Sequence, residues 1–226
     1  MGFTVDGKKY LNERAIATQQ TGWSFVAQTR GNLPDAVGGR LWFGTDDTNT
    51  TVYMPFYCSM TEIPLEVRPG NGDMLTYSDT SNFWINNRVA NQAYHRYDLM
   101  IDDIRKVQSD LENGFSASRP AFEEELVALA AAGDTDALVS KVNNDGADIA
   151  RTATDRYRDL ERYLMVRFVD GNRKKLNDDG TFARTPEGIA VTPDFPGYDE
   201  EFYRHIANST GDRLIDRGDD IATKKK

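Results

Sequence analysis

Arg40–Cys58 reads RLWFGTDDTNTTVYMPFYC. Two apolar runs, Arg40–Gly44 and Thr51–Cys58, flank a polar hexapeptide, Thr45–Thr50. Short runs of aromatic and β-branched residues joined by such a loop predict a β-hairpin. Pro55 cannot donate a ladder hydrogen bond, which places its strand at a sheet edge or at a bulge. Upstream, Trp23–Arg30 (WSFVAQTR) alternates large and small side chains and predicts another strand. Arg14–Gln20 (RAIATQQ) predicts a shorter one, ended by Thr21–Gly22. Gly31–Asp35 and Gly38–Gly39 mark a loop. Residues 64–81 form a long connection punctuated by Pro64, Pro69, Gly70 and Gly72. Such loops inside compact domains are usually functional or fitted against a neighbour.

From Asn82 the apolar period changes from two to 3.6. Phe83, Asn87, Ala90, Tyr94, Tyr97, Ile101, Ile104, Gln108 and Leu111 step by three and four, predicting one long helix capped by Ser81 and stopped near Gly114. A second helix is expected from Ser118, with Pro120 in its first turn, to Gly133. A third, short one follows from Asp134 to about Asn144. A fourth runs from Gly146 to Gly171, with Ala150, Ala153, Tyr157, Leu160, Leu164 and Phe168 on one face. Arg151, Asp155, Arg156, Arg158, Asp159, Glu161 and Arg162 mark its other face as a solvated one. The chain from Asn172 reads as irregular, with a turn at Asn177–Gly180 and a short helix from Asp199 to Asn208. The fold class is α+β. One domain is expected, β-rich over about 11–63, helical over 82–171 and irregular over 172–226.

The 226 residues carry 24 aromatic side chains, enough for a core, and a formal net charge of −9. An acidic chain without clustered lysine or arginine is not a nucleic-acid binder. The terminal Lys224–Lys226 reads as a solvated tail. No run approaches the length of a membrane span. The single cysteine excludes an internal disulfide and favours a reducing, cytoplasmic compartment, with export left open.

Local chemistry alone points to no site. Cys58 could pair with His95 or His205 as nucleophile and base, but its aromatic neighbours Phe56 and Tyr57 predict an inert buried thiol. Two distant histidines without a cysteine cluster are not a zinc site. Asp46, Asp47 and Asn49 resemble part of a calcium loop but lack its glycine and distal glutamate, so turn chemistry is the better reading. Neither a metal nor another cofactor is called for.

Five segments, in order, resemble the PepD-type dipeptidases within the N-terminal-nucleophile hydrolases. They are Ala15–Arg30, Leu33–Asp47 (LPDAVGGRLWFGTDD), Val52–Pro64, Phe83–Leu111 (opening FWINNRVAN) and Pro196–Gly211. The resemblance implies a four-layer αββα sandwich, of which this chain would hold a part. It also implies a cysteine at the mature N-terminus whose own α-amine serves as general base. That amine titrates near pH 8, so a useful fraction is basic at physiological pH. This sequence departs from the pattern: positions 2 and 3 are Gly and Phe, and Cys58 has its nitrogen in a peptide bond.

The resemblance therefore implies the C-terminal part of a dipeptidase, without the catalytic N-terminal portion and inactive alone. The dipeptide would be substrate of the full-length protein, and exposed sheet edges would promote self-association. Arg14, Gln20 and Ser24 are the candidates for orienting substrate, and Asp46 and Asp47 for shaping the site rim. A stand-alone, non-catalytic interaction module derived from the same fold is the alternative.

Overall fold

The computed structural model describes residues 2–216; the lysine tail lies outside the described residues. The chain divides into two compact units, the first ending at Val166 and the second beginning at Arg167. The first is α+β, with antiparallel strands followed by long helices.

The chain opens with a two-stranded hairpin, β1 (Gly2–Val5) and β2 (Lys8–Leu11). Asp6 and Gly7 both have positive φ, 49° and 75°. Two positive-φ residues twist a two-residue turn to match its strands, which is why Asp-Gly favours tight hairpins. The hairpin is exposed throughout and Phe3 stacks on Tyr10. The sequence reading missed it, although Thr4-Val5-Asp6-Gly7-Lys8 carries its signal.

The main sheet has the order β3 (Trp23–Thr29), β4 (Gly39–Thr45) and β5 (Met54–Tyr57), all antiparallel. The expected hairpin is β4–β5, and Pro55 pairs with Trp42 on the edge strand. The expected strand at Arg14–Gln20 is absent: residues 12–22 form a loop. Gly44 is required by crowding, since a β-carbon there would lie 2.7 Å from Thr51 Cγ2. A four-residue helix, α1 (Asp35–Gly38), fills part of the loop between β3 and β4.

The helices differ from the sequence reading. α2 (Asn82–Ala93) ends early, and α3 (Tyr97–Ala132) then runs unbroken through Gly114 and Pro120. Ser81 occupies the position before α2 without a side-chain cap bond. The apolar stripe Met100, Ile101, Ile104, Leu111, Phe115 and Leu126 stays buried along α3. Tertiary burial outweighs the local breakers. α3 does stop at Gly133, where φ is 70° and two backbone bonds, Gly133 N to Ala130 O and Asp134 N to Leu129 O, close a Schellman motif.

The third and fourth expected helices are one, α4 (Thr135–Phe168). Gly146 does not interrupt it but lets it approach the sheet connection, since a β-carbon there would meet Met60 Cε at 2.3 Å. Val37, Tyr57, Leu126, Leu138 and Val142 form a core joining α1, β5, α3 and α4.

The second unit holds short bridges, among them Arg173 with Asp194 and Leu176 with Phe182. Its helix, α5 (Glu200–Thr210), is capped by Asp199, whose side chain accepts from Phe202 N. No helix among the described residues is long and apolar enough to cross a membrane.

Candidate functional site

Of the polar hexapeptide Thr45–Thr50, the four residues Thr45, Asp46, Asp47 and Thr50 are buried. Asp46 and Asp47 are 1% and 2% exposed. Asp46 adopts a left-handed φ of 65°, and its amide donates to the Gly22 carbonyl at 2.9 Å. Asn87 Nδ2 donates to Asp46 Oδ1 at 2.9 Å, while the buried Oδ2 has no protein partner. Asp47 accepts from Thr50 Oγ1 at 3.0 Å, and its carbonyl accepts the amides of Thr50 and Thr51.

Beneath the turn, Thr45 Oγ1 donates to Asn82 Oδ1 at 2.7 Å, and Asn82 Nδ2 donates to Thr154 Oγ1 at 2.9 Å. Asn86 Nδ2 donates to the same Asn82 oxygen and to Thr45 Oγ1. Tyr157, buried in α4, donates its hydroxyl to Thr50 O at 2.8 Å. The segment WFGTDD thus meets FWINNR side chain to side chain. The interruption of α2 and α3 also serves the turn. Tyr94 lies there, its hydroxyl pushed up to about 12 by burial and then by Asp47. Tyr97 accepts from Asn49 Nδ2.

Burial is the main cause that raises the Asp46 carboxyl above its ordinary 3.8; the Asn87 bond opposes it. A carboxyl raised by folding binds its proton more tightly in the native state, so stability falls as pH rises above 3.8. Asparagine at position 46 keeps an acceptor for Asn87, tolerates the left-handed backbone and carries no charge. Valine does none of this. Asp46→Val should therefore be about 2 kcal/mol less stable than Asp46→Asn at neutral pH, by chemical denaturation. Equal stabilities would mean that the turn relaxes out of the left-handed conformation.

The other sequence candidates lie in two further places. Arg14 and Gln20 are exposed and meet each other, Arg14 Nη2 donating to Gln20 Oε1 at 2.5 Å and to Thr18 Oγ1 at 3.1 Å. Neither flanks a strand. Ser24, on β3, shares a 2.8 Å hydrogen bond with the Tyr53 hydroxyl. Cys58 is exposed rather than buried, because it lies one residue past β5, where the chain turns out of the sheet. Its amide still donates to Gly39 O at 3.0 Å. His95 is exposed at the α2–α3 interruption and His205 in α5. Among the described residues, no group of three or more His, Cys, Asp and Glu side chains is placed to hold a metal ion.

Two charged groups escaped the sequence reading. Glu123 of α3 accepts on one oxygen from Arg30, Arg40 and Tyr57. Glu161, expected on a solvated face, is buried instead and accepts from Arg88 Nη2 at 2.6 Å and from Gln92. An arginine directly after a strand gives no local signal for a glutamate ninety-three residues away. These ties form only once the helices have docked.

The span that holds the β4–β5 turn and α2 matches known proteins. Residues 3–110 match the family model described as peptidase family C69. That span is a little under half of the 226-residue chain. A curated relative, the probable dipeptidase B of Lactococcus lactis subsp. lactis (strain IL1403), is 32% identical over 79 residues, which are 34% of this chain and 16% of that protein. The aligned part of the chain thus spans less than a fifth of that relative. The C69 span takes in both hairpins, the 64–81 connection, α2 and the start of α3. Of the sequence candidates it leaves out only His205, and the partners on the later part of α3 and on α4 lie beyond it.

Proposed function

We propose that the C69 span forms part of a dipeptide-hydrolysing centre whose nucleophile is a cysteine with a free α-amine, supplied from outside these 226 residues. The match of residues 3–110 to a peptidase family model is the observation that carries this reading, and the dipeptidase name of the relative supports the substrate class. In such a centre the amine takes the thiol proton and the thiolate attacks the peptide carbonyl; the C–N bond then breaks as the second amino acid leaves with the proton held by the ammonium, and water hydrolyses the resulting thioester to release the first. Cys58 does not serve, because its nitrogen is an amide engaged with Gly39 O.

The state of β3 supports a larger αββα sandwich. It is an edge strand, and Trp23, Phe25 and Val26 are 60%, 50% and 58% exposed, so both of its faces carry uncovered apolar side chains. An uncharged edge of this kind can pair with further strands or with another copy. Arg14, held by Gln20, and Ser24 would then support the substrate side, and Asp46 and Asp47 would shape the rim from beneath.

The test is a dipeptide hydrolysis assay of residues 1–226 and of the longest protein that contains them, with and without Cys58→Ala. Residues 1–226 should be inactive. The longer protein should keep its rate within about two-fold in Cys58→Ala, as befits a residue that touches no reacting atom. Hydrolysis by residues 1–226 that Cys58→Ala abolishes would overturn the reading.

A further inference from the structure

A cavity of about 330 Å³ opens between the start of the main sheet and the 64–81 connection. Its volume lies at the small end of ligand pockets, roughly 300–1,000 Å³, which suits a molecule of dipeptide size rather than a folded chain. One wall is aromatic, built by Trp23 of β3, Phe43 of β4 and Trp84 of α2. Trp23 and Phe43 stack across the strands with centroids 6.2 Å apart, and Trp84 is held by its Nε1 donating to Thr76 O at 3.1 Å. Trp84 is thus positioned before anything binds, which lowers the ordering entropy to be lost; Trp23 is 60% exposed.

The other wall carries charge of both signs: Glu66, Asp73 and Arg68. Asp73 is fixed by accepting from Leu75 N at 2.8 Å. Arg68 is fixed by donating Nε and Nη2 to Ile63 O at 3.0 and 2.7 Å, which spends one edge of the guanidinium and leaves Nη1 for a further acceptor. Glu66 is half-buried at the rim. Two carboxylates and a guanidinium beside an apolar wall match a zwitterion that has an ammonium, a carboxylate and a bulky apolar side chain. Aromatic faces also favour the ammonium electrostatically.

We propose that this cavity binds a short peptide with a free amino terminus, its ammonium between Glu66 and Asp73, its carboxylate toward Arg68 and an apolar first side chain on the Trp23–Phe43–Trp84 wall. The proposal rests on the dipeptidase reading and deepens it: it makes the 64–81 connection the element that selects a free amino terminus and a large first residue.

Two of the three tryptophans line the cavity, so intrinsic fluorescence of residues 1–226 reports occupancy without any turnover. Leucyl-glycine should change the emission saturably. Glycyl-glycine should bind about ten-fold more weakly or worse, for want of the apolar side chain. N-acetyl-leucyl-glycine should also bind about ten-fold more weakly, because its ammonium is gone. Glu66→Gln should weaken leucyl-glycine and narrow the difference from the acetylated peptide, with the circular dichroism spectrum unchanged. Equal binding of free and acetylated peptides, or no saturable change with any of them, would overturn the proposal. The dipeptidase reading fails separately, through absence of hydrolysis by the longer protein.

Discussion

Replacing Glu123 by alanine is expected to cost about 3–5 kcal/mol of stability, the range found when one partner of a buried ion pair is removed. One carboxylate oxygen takes Arg30 Nη1 at 2.5 Å, Arg40 Nη1 at 2.9 Å and the Tyr57 hydroxyl at 2.8 Å. Arg40 is only 7% exposed, so the variant would leave a guanidinium with little access to water. What remains to Arg40 is Gln28 Oε1 and the faces of Trp42 and Tyr57, at 5.1 and 5.9 Å. Those contacts hold its shape but supply no counter-charge. Arg30 retains the carbonyls of Val37 and Gly38. Arg30→Ala should therefore cost less than Glu123→Ala, since the glutamate keeps Arg40.

The pH dependence separates this ion cluster from simple packing. Burial alone would raise the Glu123 carboxyl, but the bonds from Arg30 and Tyr57 and both guanidinium charges outweigh it and hold the carboxyl below its ordinary 4.5. A carboxyl lowered by folding contributes stability above 4.5 and loses it as pH falls through the lowered value. Denaturation curves of wild type and Glu123→Ala should lie furthest apart at neutral pH and converge in acid. A separation that persisted in acid would mean that the variant acts through lost packing.

The contrast between this cluster and the hairpin shows what the sequence carried. RLWFG and VYMPFYC specify their strands locally, through aromatic and β-branched residues on either side of a polar turn, and Pro55 marks the edge. The period change at Asn82 likewise marks the onset of helix. The helix boundaries did not follow, because Gly114, Pro120 and Gly146 read as breakers while burial of Phe115, Leu126 and Tyr157 carries the helices through. The β1–β2 hairpin was legible in Asp6-Gly7 and was passed over. Asp46 and Asp47 stand out in the sequence as turn residues and, through the resemblance, as rim candidates. Their burial was not visible, since aspartates in a turn are normally solvated and only the docking of α2 and α4 encloses them.

That enclosure gives the second large effect. Asn82→Leu replaces a fully buried amide by an apolar side chain of similar size, so the loss is one of hydrogen bonds rather than of volume. Thr45 Oγ1 loses its acceptor, Thr154 Oγ1 loses a donor, and Asn86 Nδ2 loses one of its oxygens. Each buried group left unsatisfied costs roughly 1–3 kcal/mol, so a total of about 3–5 kcal/mol is expected. Because the cost lies in stranded partners, removing a partner should recover part of it. Asn82→Leu combined with Thr154→Val should be less destabilised than the sum of the single variants, by chemical denaturation. Strict additivity would mean that Asn82 and Thr154 act independently and that no continuous network crosses from β4 to α4. A sub-additive result would tie the aspartates of the turn to α4 through Thr45 and Asn82. The segments WFGTDD and FWINNR would then owe their packing to one buried junction that runs from the β4–β5 turn to α4.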